Sequence, residues 1–288
     1  MEYSNQVDQR GMLSNKIIIN FCPTGMVPTK NMTPHVPVQS EEIIEQTHEA
    51  YELGITLVHL HARDENGKPT WKASVYRDIF EGIRKYCPDL VICASTSGRV
   101  YSEFEKRAEV IELRPDMCSL TLSSLNFPKQ ASINSPDMIQ KLAQKMSQFG
   151  VHPELECFDL GMINYGQYLI RKGAIEGPYY WNLLFGNIAG FQANYQQMGT
   201  AIQPIPEDHF IALAGIGLAQ LPVTASAIAM GYGVRIGLED NIWFDSEKRQ
   251  LASNTDLLKR THKLLKVHEK EVMSAKEFGN HGFYNENG

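Results

Sequence analysis

Short apolar runs alternate along the chain with longer stretches whose apolar positions recur at helical spacing, and the alternation repeats eight times. The runs are rich in β-branched residues and have the length of buried strands. They predict strands at 16–21, 55–61, 90–94, 117–122, 152–158, 180–185, 209–214 and 233–237. The stretches between them predict helices at 40–54, 74–86, 102–113, 135–150, 161–171, 219–230 and 254–268. Ser40 is placed to cap the first helix, with Glu41 and Glu42 in its first turn, where carboxylates suit the dipole. Ser135, Pro136 and Asp137 form a helix start, a capping residue followed by proline at the first helical position. Residues 190–199 carry no clear period and read as a looser segment.

Strands alternating with helices through short connections imply a parallel sheet. Eight such units in 288 residues imply an α/β fold of the closed (β/α)8, or TIM-barrel, type. An open doubly wound sheet is the alternative, but no G-x-G-x-x-G follows the first strand. No repeat, linker or low-complexity stretch marks a second domain, so 1–288 reads as a single TIM-barrel domain. It carries a polar leader at 1–15 and a polar C-terminal extension at 270–288, expected to pack on the outside or on a neighbour.

Composition changes this picture little. With 43% hydrophobic and 21% charged residues the chain is ordinary for a soluble protein. A net charge of -6 and the absence of a basic run give no pull towards nucleic acid. No apolar stretch approaches a membrane span, and residues 1–15 lack the apolar core of a signal peptide. Five widely spaced cysteines, without C-x-x-C, fit a reducing, cytoplasmic setting.

In a barrel of this type the chemistry sits at the C-terminal ends of the strands. His59 and His61 stand two positions apart at the end of the second strand, so both imidazoles project to one side. Glu239 follows the eighth strand and, coming just after Gly237, has little beside it. The first strand alone separates the second from the eighth, so the three side chains can meet across the rim. Two histidines and one carboxylate with open positions form the pattern of a catalytic zinc (Zn2+) site. Asp240, next to that ligand, is placed to take a proton from a carbon beside a carbonyl held by the metal. Arg235 offers a planar fork suited to a substrate carboxylate, or alternatively an ion pair with a neighbouring acid. Ser95, Thr121, Glu154 and Glu156 are further strand-end candidates, and Glu154 is the provisional choice of the two glutamates for contacting substrate. Gly215 and Gly217 flank a loop before a helix, which suits either a phosphate contact or close packing.

This ordered set resembles the β-keto acid cleavage enzymes, whose founding activity is 3-keto-5-aminohexanoate cleavage. The resemblance runs from about Lys16 to the end of the last long helix and is carried mainly by 59–64 with 67–70 and by 235–241. It implies a TIM barrel, a zinc ion on His59, His61 and Glu239, and a homotetramer. It also implies an acyltransferase reaction in which a β-keto acid and acetyl-CoA give acetoacetate and a new acyl-CoA. Asp240 would then be the base, Arg235 would orient the reacting groups, and Ser95 and Thr121 would position substrate. The founding enzyme carries a glutamate soon after its first strand to receive the substrate's amino group, whereas Thr24, Gly25, Met26 and Val27 stand here. An amino-bearing tail is therefore not expected, and an apolar or differently polar one is. A metal-dependent hydrolase of the amidohydrolase type is the alternative, but that class places H-x-H on its first strand and needs more histidines at later strand ends.

Overall fold

The computed structural model describes residues 15–286, so nearly all of the expected leader at 1–15 lies outside the described residues. Eight parallel strands close into a barrel. They are β1 (Ile19–Phe21), β2 (Leu57–Leu60), β3 (Val91–Ala94), β4 (Met117–Thr121), β5 (His152–Cys157), β6 (Tyr180–Phe185), β7 (Phe210–Gly215) and β8 (Gly233–Ile236). β8 pairs with β1, Arg235 opposite Asn20, and so completes the ring. A helix follows each strand: α1 (Ser40–Leu53), α2 (Ala73–Tyr86), α3 (Phe104–Ala108), α4 (Pro136–Phe149), α5 (Leu160–Arg171), α6 (Tyr195–Ile202), α7 (Gln220–Met230) and α8 (Asn254–Val267). The TIM barrel read from the alternation is the fold observed.

Apolar burial on the outer face of the strands holds the helices in place. Val58, Leu60, Ile92, Leu120 and Leu155 join one apolar layer with the helix faces. In α2 those are Tyr76, Ile79, Phe80 and Ile83, a helical stripe. Each such side chain removed from water contributes about 1.5–3 kcal/mol. Towards the barrel axis the strands are graded. Leu57, Val91, Met117 and Tyr180 form an apolar layer low in the barrel. One pleat higher on the same strands come His59, Cys93, Ser119 and Asn182, and the interior becomes polar.

Several elements differ from the sequence reading. The first run divides: Lys16 and Ile17 pair with Glu271 and Val272 in a separate two-stranded sheet, and only from Ile19 does the chain enter the barrel. Ser40 is the first helical residue rather than the cap of α1, because the Glu42 carboxylate accepts the Val38 and Gln39 N–H groups at 2.8 and 3.1 Å. The helix expected at 102–113 is α for five residues and then tightens into a 3-10 segment, Glu109–Leu113. The looser segment contains α6, started by the Asn194 side chain accepting the Gln197 N–H at 2.9 Å.

The C-terminal extension, expected on the outside or on a neighbour, sends a few of its residues across one end of the barrel. A further helix, α9 (Ala275–Phe278), and the turn after it carry Phe278 and Phe283, both 0% exposed, onto the N-terminal end of the barrel. Their rings stack at 4.1 Å and meet Tyr180 and Phe210 edge to face. The Tyr284 hydroxyl donates to the Asp89 carbonyl at 2.7 Å and fastens the end of the segment. The apolar layer low in the barrel needs a cover, and these aromatic residues provide it.

Candidate active site

The inward pleat of β2 and its continuation bring His59 and His61 together, with their Nε2 atoms 3.2 Å apart. Glu239, in the loop after β8, places Oε1 3.2 Å from His61 Nε2. A tetrahedral ion with bonds of about 2.0–2.2 Å requires neighbouring ligand atoms about 3.3 Å apart, so His61 is already at ligand spacing from both other donors, and all three lie within 4.8 Å of one another. Glu239 Oε2 is buried and has no hydrogen-bond partner, a lone acceptor of the kind a cation satisfies. The residues fit a divalent metal ion. A second group, His59 with Cys93 and Glu154, is equally compact, but there the glutamate and thiol already bond to each other and to the imidazole.

That second group orients the first. Glu154 Oε2 accepts the His59 Nδ1–H at 2.6 Å, which leaves His59 Nε2 as the lone-pair nitrogen facing His61 and Glu239. Cys93 Sγ donates to the same oxygen at 3.3 Å, and Asn20 and Asn182 donate to Oε1 at 2.6 and 3.0 Å. Burial acts to lower the His59 imidazole, but the Glu154 charge outweighs it and raises it; the same pairing overcomes burial at Glu154 and holds its carboxyl at about 2, and a metal ion at Nε2 would take the place of the second His59 proton. Burial lowers the His61 imidazole and keeps it neutral, as a metal ligand must be.

Glu239 is more tightly held than its place after Gly237 suggested. At Gly237 a Cβ would fall 1.9 Å from the Cys22 carbonyl oxygen, so only glycine lets the ends of β8 and β1 come this close. The Glu239 N–H then donates to that carbonyl at 3.2 Å. On the other side Gly25, at φ 62°, would clash with the Glu239 side chain if it carried a Cβ. Arg63 holds this loop over the site through the carbonyls of Gly25 and Pro28, at 2.6 and 3.1 Å, and also reaches Gly67 at 3.0 Å.

Arg235, 2% exposed, is the cation at the centre. It donates from Nε to Asp240 Oδ2 at 2.9 Å and from Nη2 to Glu239 Oε1 at 2.6 Å, and its Nη1 lies 3.5 Å from Glu156 Oε1. The fork expected to hold substrate is thus first an ion-pair partner for the chain's own acids. Burial raises the Asp240 carboxyl above its ordinary value; Arg235 opposes this and Glu239 adds to it. Burial likewise raises Glu156, with Glu154 adding to the effect. Three carboxyls, those of Glu156, Glu239 and Asp240, meet one guanidinium, an excess of negative charge that a divalent ion would offset.

These groups form the floor of a cavity of about 590 Å³, within the usual size for a small-molecule site. Its lining includes His59, His61, Glu239, Asp240 and Arg235, and above them Ser95 and Thr121. Thr121 Oγ1 donates to Glu156 Oε2 at 2.7 Å, so Glu156, not Glu154, is the glutamate of β5 that reaches the cavity. Glu154 lies one pleat deeper, behind His59, and is not among the residues that line the cavity. Gly215 and Gly217 do not line the cavity either. A Cβ at Gly215 would meet the Ala219 carbonyl oxygen at 2.3 Å, and the Gly217 N–H donates to the Asp240 carbonyl at 2.7 Å. Close packing accounts for Gly215, whereas a Cβ at Gly217 would meet nothing within 4 Å and it is the φ of 60° that favours glycine there. Arg99, which no motif marked, and Phe127, at the end of the run from Ser119, line the cavity as well. His152 and His209 stand at the starts of β5 and β7, the end away from this site, so the added histidines of an amidohydrolase are not brought here.

Comparison with known proteins agrees with this geometry. The family profile described as beta-keto acid cleavage enzyme matches residues 16–280. A protein of Acetoanaerobium sticklandii named 3-keto-5-aminohexanoate cleavage enzyme is 34% identical over 265 residues, 92% of this chain and 93% of its own length. A Cupriavidus necator protein named 3-oxoadipate:acetyl-CoA acetyltransferase is 33% identical over 267 residues, 91% of this chain and 93% of its own. Among solved structures, the ternary complex of ObcA with C4-CoA adduct and oxalate superposes with a TM-score of 0.74 at 17% identity, covering 86% of this chain and 67% of that one. At that identity it speaks for the fold alone.

Proposed function

The chain belongs to the beta-keto acid cleavage enzyme family, and from that membership we propose that it condenses a β-keto acid with acetyl-CoA and then cleaves the adduct to acetoacetate and a new acyl-CoA. The observation that carries the proposal is the pairing of a three-donor metal position with a separate carboxyl, Asp240, kept off that position by Arg235. We assign the metal as zinc on the strength of the donor set, two imidazoles and one carboxylate with room for substrate. When bound, the ion would supply a Lewis acid for the keto oxygen and so lower the cost of negative charge there.

Asp240 takes a proton from C2 of the keto acid, a task suited to a carboxyl whose affinity for protons burial has raised. The resulting enolate carbon attacks the thioester carbonyl of acetyl-CoA and expels the CoA thiolate. That thiolate attacks the original keto carbonyl. The carbon–carbon bond then breaks, giving the new acyl-CoA and the acetoacetate enolate, to which Asp240 returns its proton. Arg235 holds Asp240 and Glu239 at fixed positions throughout, and Ser95 and Thr121 present hydroxyls to the substrate in the wall above. The family also carries the expectation of a homotetramer. Five free, buried cysteines suit a reducing compartment such as the cytoplasm, and no helix among the described residues is long and apolar enough to cross a membrane.

The test is a product profile. Purified protein, assayed for metal content, is given acetyl-CoA with a panel of β-keto acids, and acetoacetate and acyl-CoA are followed by mass spectrometry. About one zinc per chain and paired formation of both products are expected. Hydrolysis of amides or esters without acetyl-CoA would replace this reading with the hydrolase one.

A further inference from the structure

We infer that Arg99 is a carboxylate-binding position in the wall of the cavity and that it selects β-keto acids bearing a second carboxylate at the end of the tail. The inference rests on the proposed function for the kind of molecule that fills the cavity.

Arg99 sits in the loop after β3, and its guanidinium lies over the Phe127 ring at 3.9 Å. Phe127 is itself held edge to face against Phe158 at 5.8 Å, and both rings line the cavity. A guanidinium stacked on a ring has its flat face covered and its N–H edge free to donate. The buried arginines elsewhere in the chain spend their donors on their own protein. Arg63 binds the carbonyls of Gly25, Pro28 and Gly67. Arg107 binds Thr96, Ile133 and Asn134, and Arg235 binds three acids. Arg99 Nε, by contrast, is buried with no partner, and no acid among the described residues lies within ion-pair distance of its side chain.

The surroundings say what would complete it. The rest of the wall mixes apolar residues, Met26, Val27, Leu125 and Leu184, with the uncharged polar Ser97 and Asn187, and Lys129 adds a second positive charge. The acids that reach the cavity are on its floor and already matched with Arg235 or Thr121. A cationic tail therefore meets no free acid, an apolar tail leaves the guanidinium unsatisfied, and a neutral oxygen leaves its charge unmatched. A carboxylate meets it with two parallel charge-assisted bonds. A phosphate of acetyl-CoA has the same chemistry. However, those phosphates lie at the far end of a long arm from the reacting thioester, whereas the half-buried Arg99 lines the same cavity as His59, His61 and Glu239. The keto acid's tail is the nearer source.

The experiment compares 3-oxoadipate with 3-oxohexanoate, the same chain ending in methyl, for the wild type, Arg99→Lys and Arg99→Gln. It also measures binding of adipate and hexanoate, which cannot react. Wild type is expected to favour 3-oxoadipate in kcat/KM and to bind adipate more tightly than hexanoate. In Arg99→Gln the dicarboxylate advantage is expected to fall roughly 100-fold, with 3-oxohexanoate turnover and the KM for acetyl-CoA little changed, and Arg99→Lys is expected to lie between. A rise in the acetyl-CoA KM instead would place Arg99 on the coenzyme and overturn the inference. Equal losses on both keto acids, or no preference in the wild type, would overturn it too. The adipate preference separates it from the function: present without any turnover, it overturns the proposed reaction alone, and absent beside good turnover, it overturns this inference alone.

Discussion

Replacing Glu154 with glutamine changes one oxygen for an amide nitrogen, in a pocket where four donors converge. His59 and Cys93 donate to one carboxylate oxygen, and Asn20 and Asn182 to the other. Whichever way the new amide turns, its NH2 meets donors. If it faces His59, the imidazole must shift its proton to Nε2, and the nitrogen that should hold the metal becomes a donor. If it faces the asparagines, two buried N–H groups lose their acceptor, and His59 keeps a neutral partner in place of a charged one. A hydrogen bond to a charged group contributes about 1.5–3 kcal/mol, and loss of a partner behind a ligating histidine weakens metal binding about 10- to 100-fold. The two figures agree, since tenfold is about 1.4 kcal/mol. Competition with a chelator of known zinc affinity measures the effect directly, with far-UV circular dichroism confirming that Glu154→Gln is folded. A folded variant that binds zinc as tightly as wild type would refute the claim that Glu154 sets the His59 tautomer.

Other outcomes follow from the same contacts. Asp240→Asn keeps the three metal donors and is expected to retain zinc while turnover drops by about 100-fold or more, as for loss of a general base; full activity with zinc in place would remove Asp240 from that role. Arg63→Met leaves the Gly25, Pro28 and Gly67 carbonyls without their donor, and a urea titration should show a loss of about 2–4 kcal/mol; a change under about 0.5 kcal/mol, the range of a neutral surface substitution, would mean that the loop is held by other contacts. His209 accepts the Trp181 indole N–H at Nδ1, 2.9 Å away, and burial lowers its pKa. Below about pH 6.5 the unfolded chain therefore takes up a proton that the folded one resists, so stability falls as pH drops from there. His209→Gln keeps an acceptor for the indole without titrating, and its urea midpoint should fall less between pH 7.5 and 5.5 than that of wild type; identical slopes would clear His209 of any part in acid sensitivity.

The barrel was legible because its signal is local and repeated: each strand and helix announces itself by its own period. His59 and His61 were legible for a related reason, since two positions apart on a strand means the same side. The choice between Glu154 and Glu156 was not open to that argument, because both project inward and only the stagger of β5 against β2 sets their depth. That stagger belongs to the closed ring rather than to either strand. Arg99 left no trace, being a single arginine in a loop whose meaning comes from Phe127, twenty-eight positions away in the chain. The cover that the C-terminal segment gives the barrel was not legible because the segment is polar on average and the residues that matter in it, Phe278 and Phe283, are few. α6 was missed because its start depends on one asparagine side chain rather than on an apolar stripe.

Those two phenylalanines bear on traffic as well as on stability. With Phe278 and Phe283 stoppering one mouth of the barrel, the cavity lined by His59, His61 and Glu239 lies towards the opposite mouth, so a molecule that enters it comes from that side.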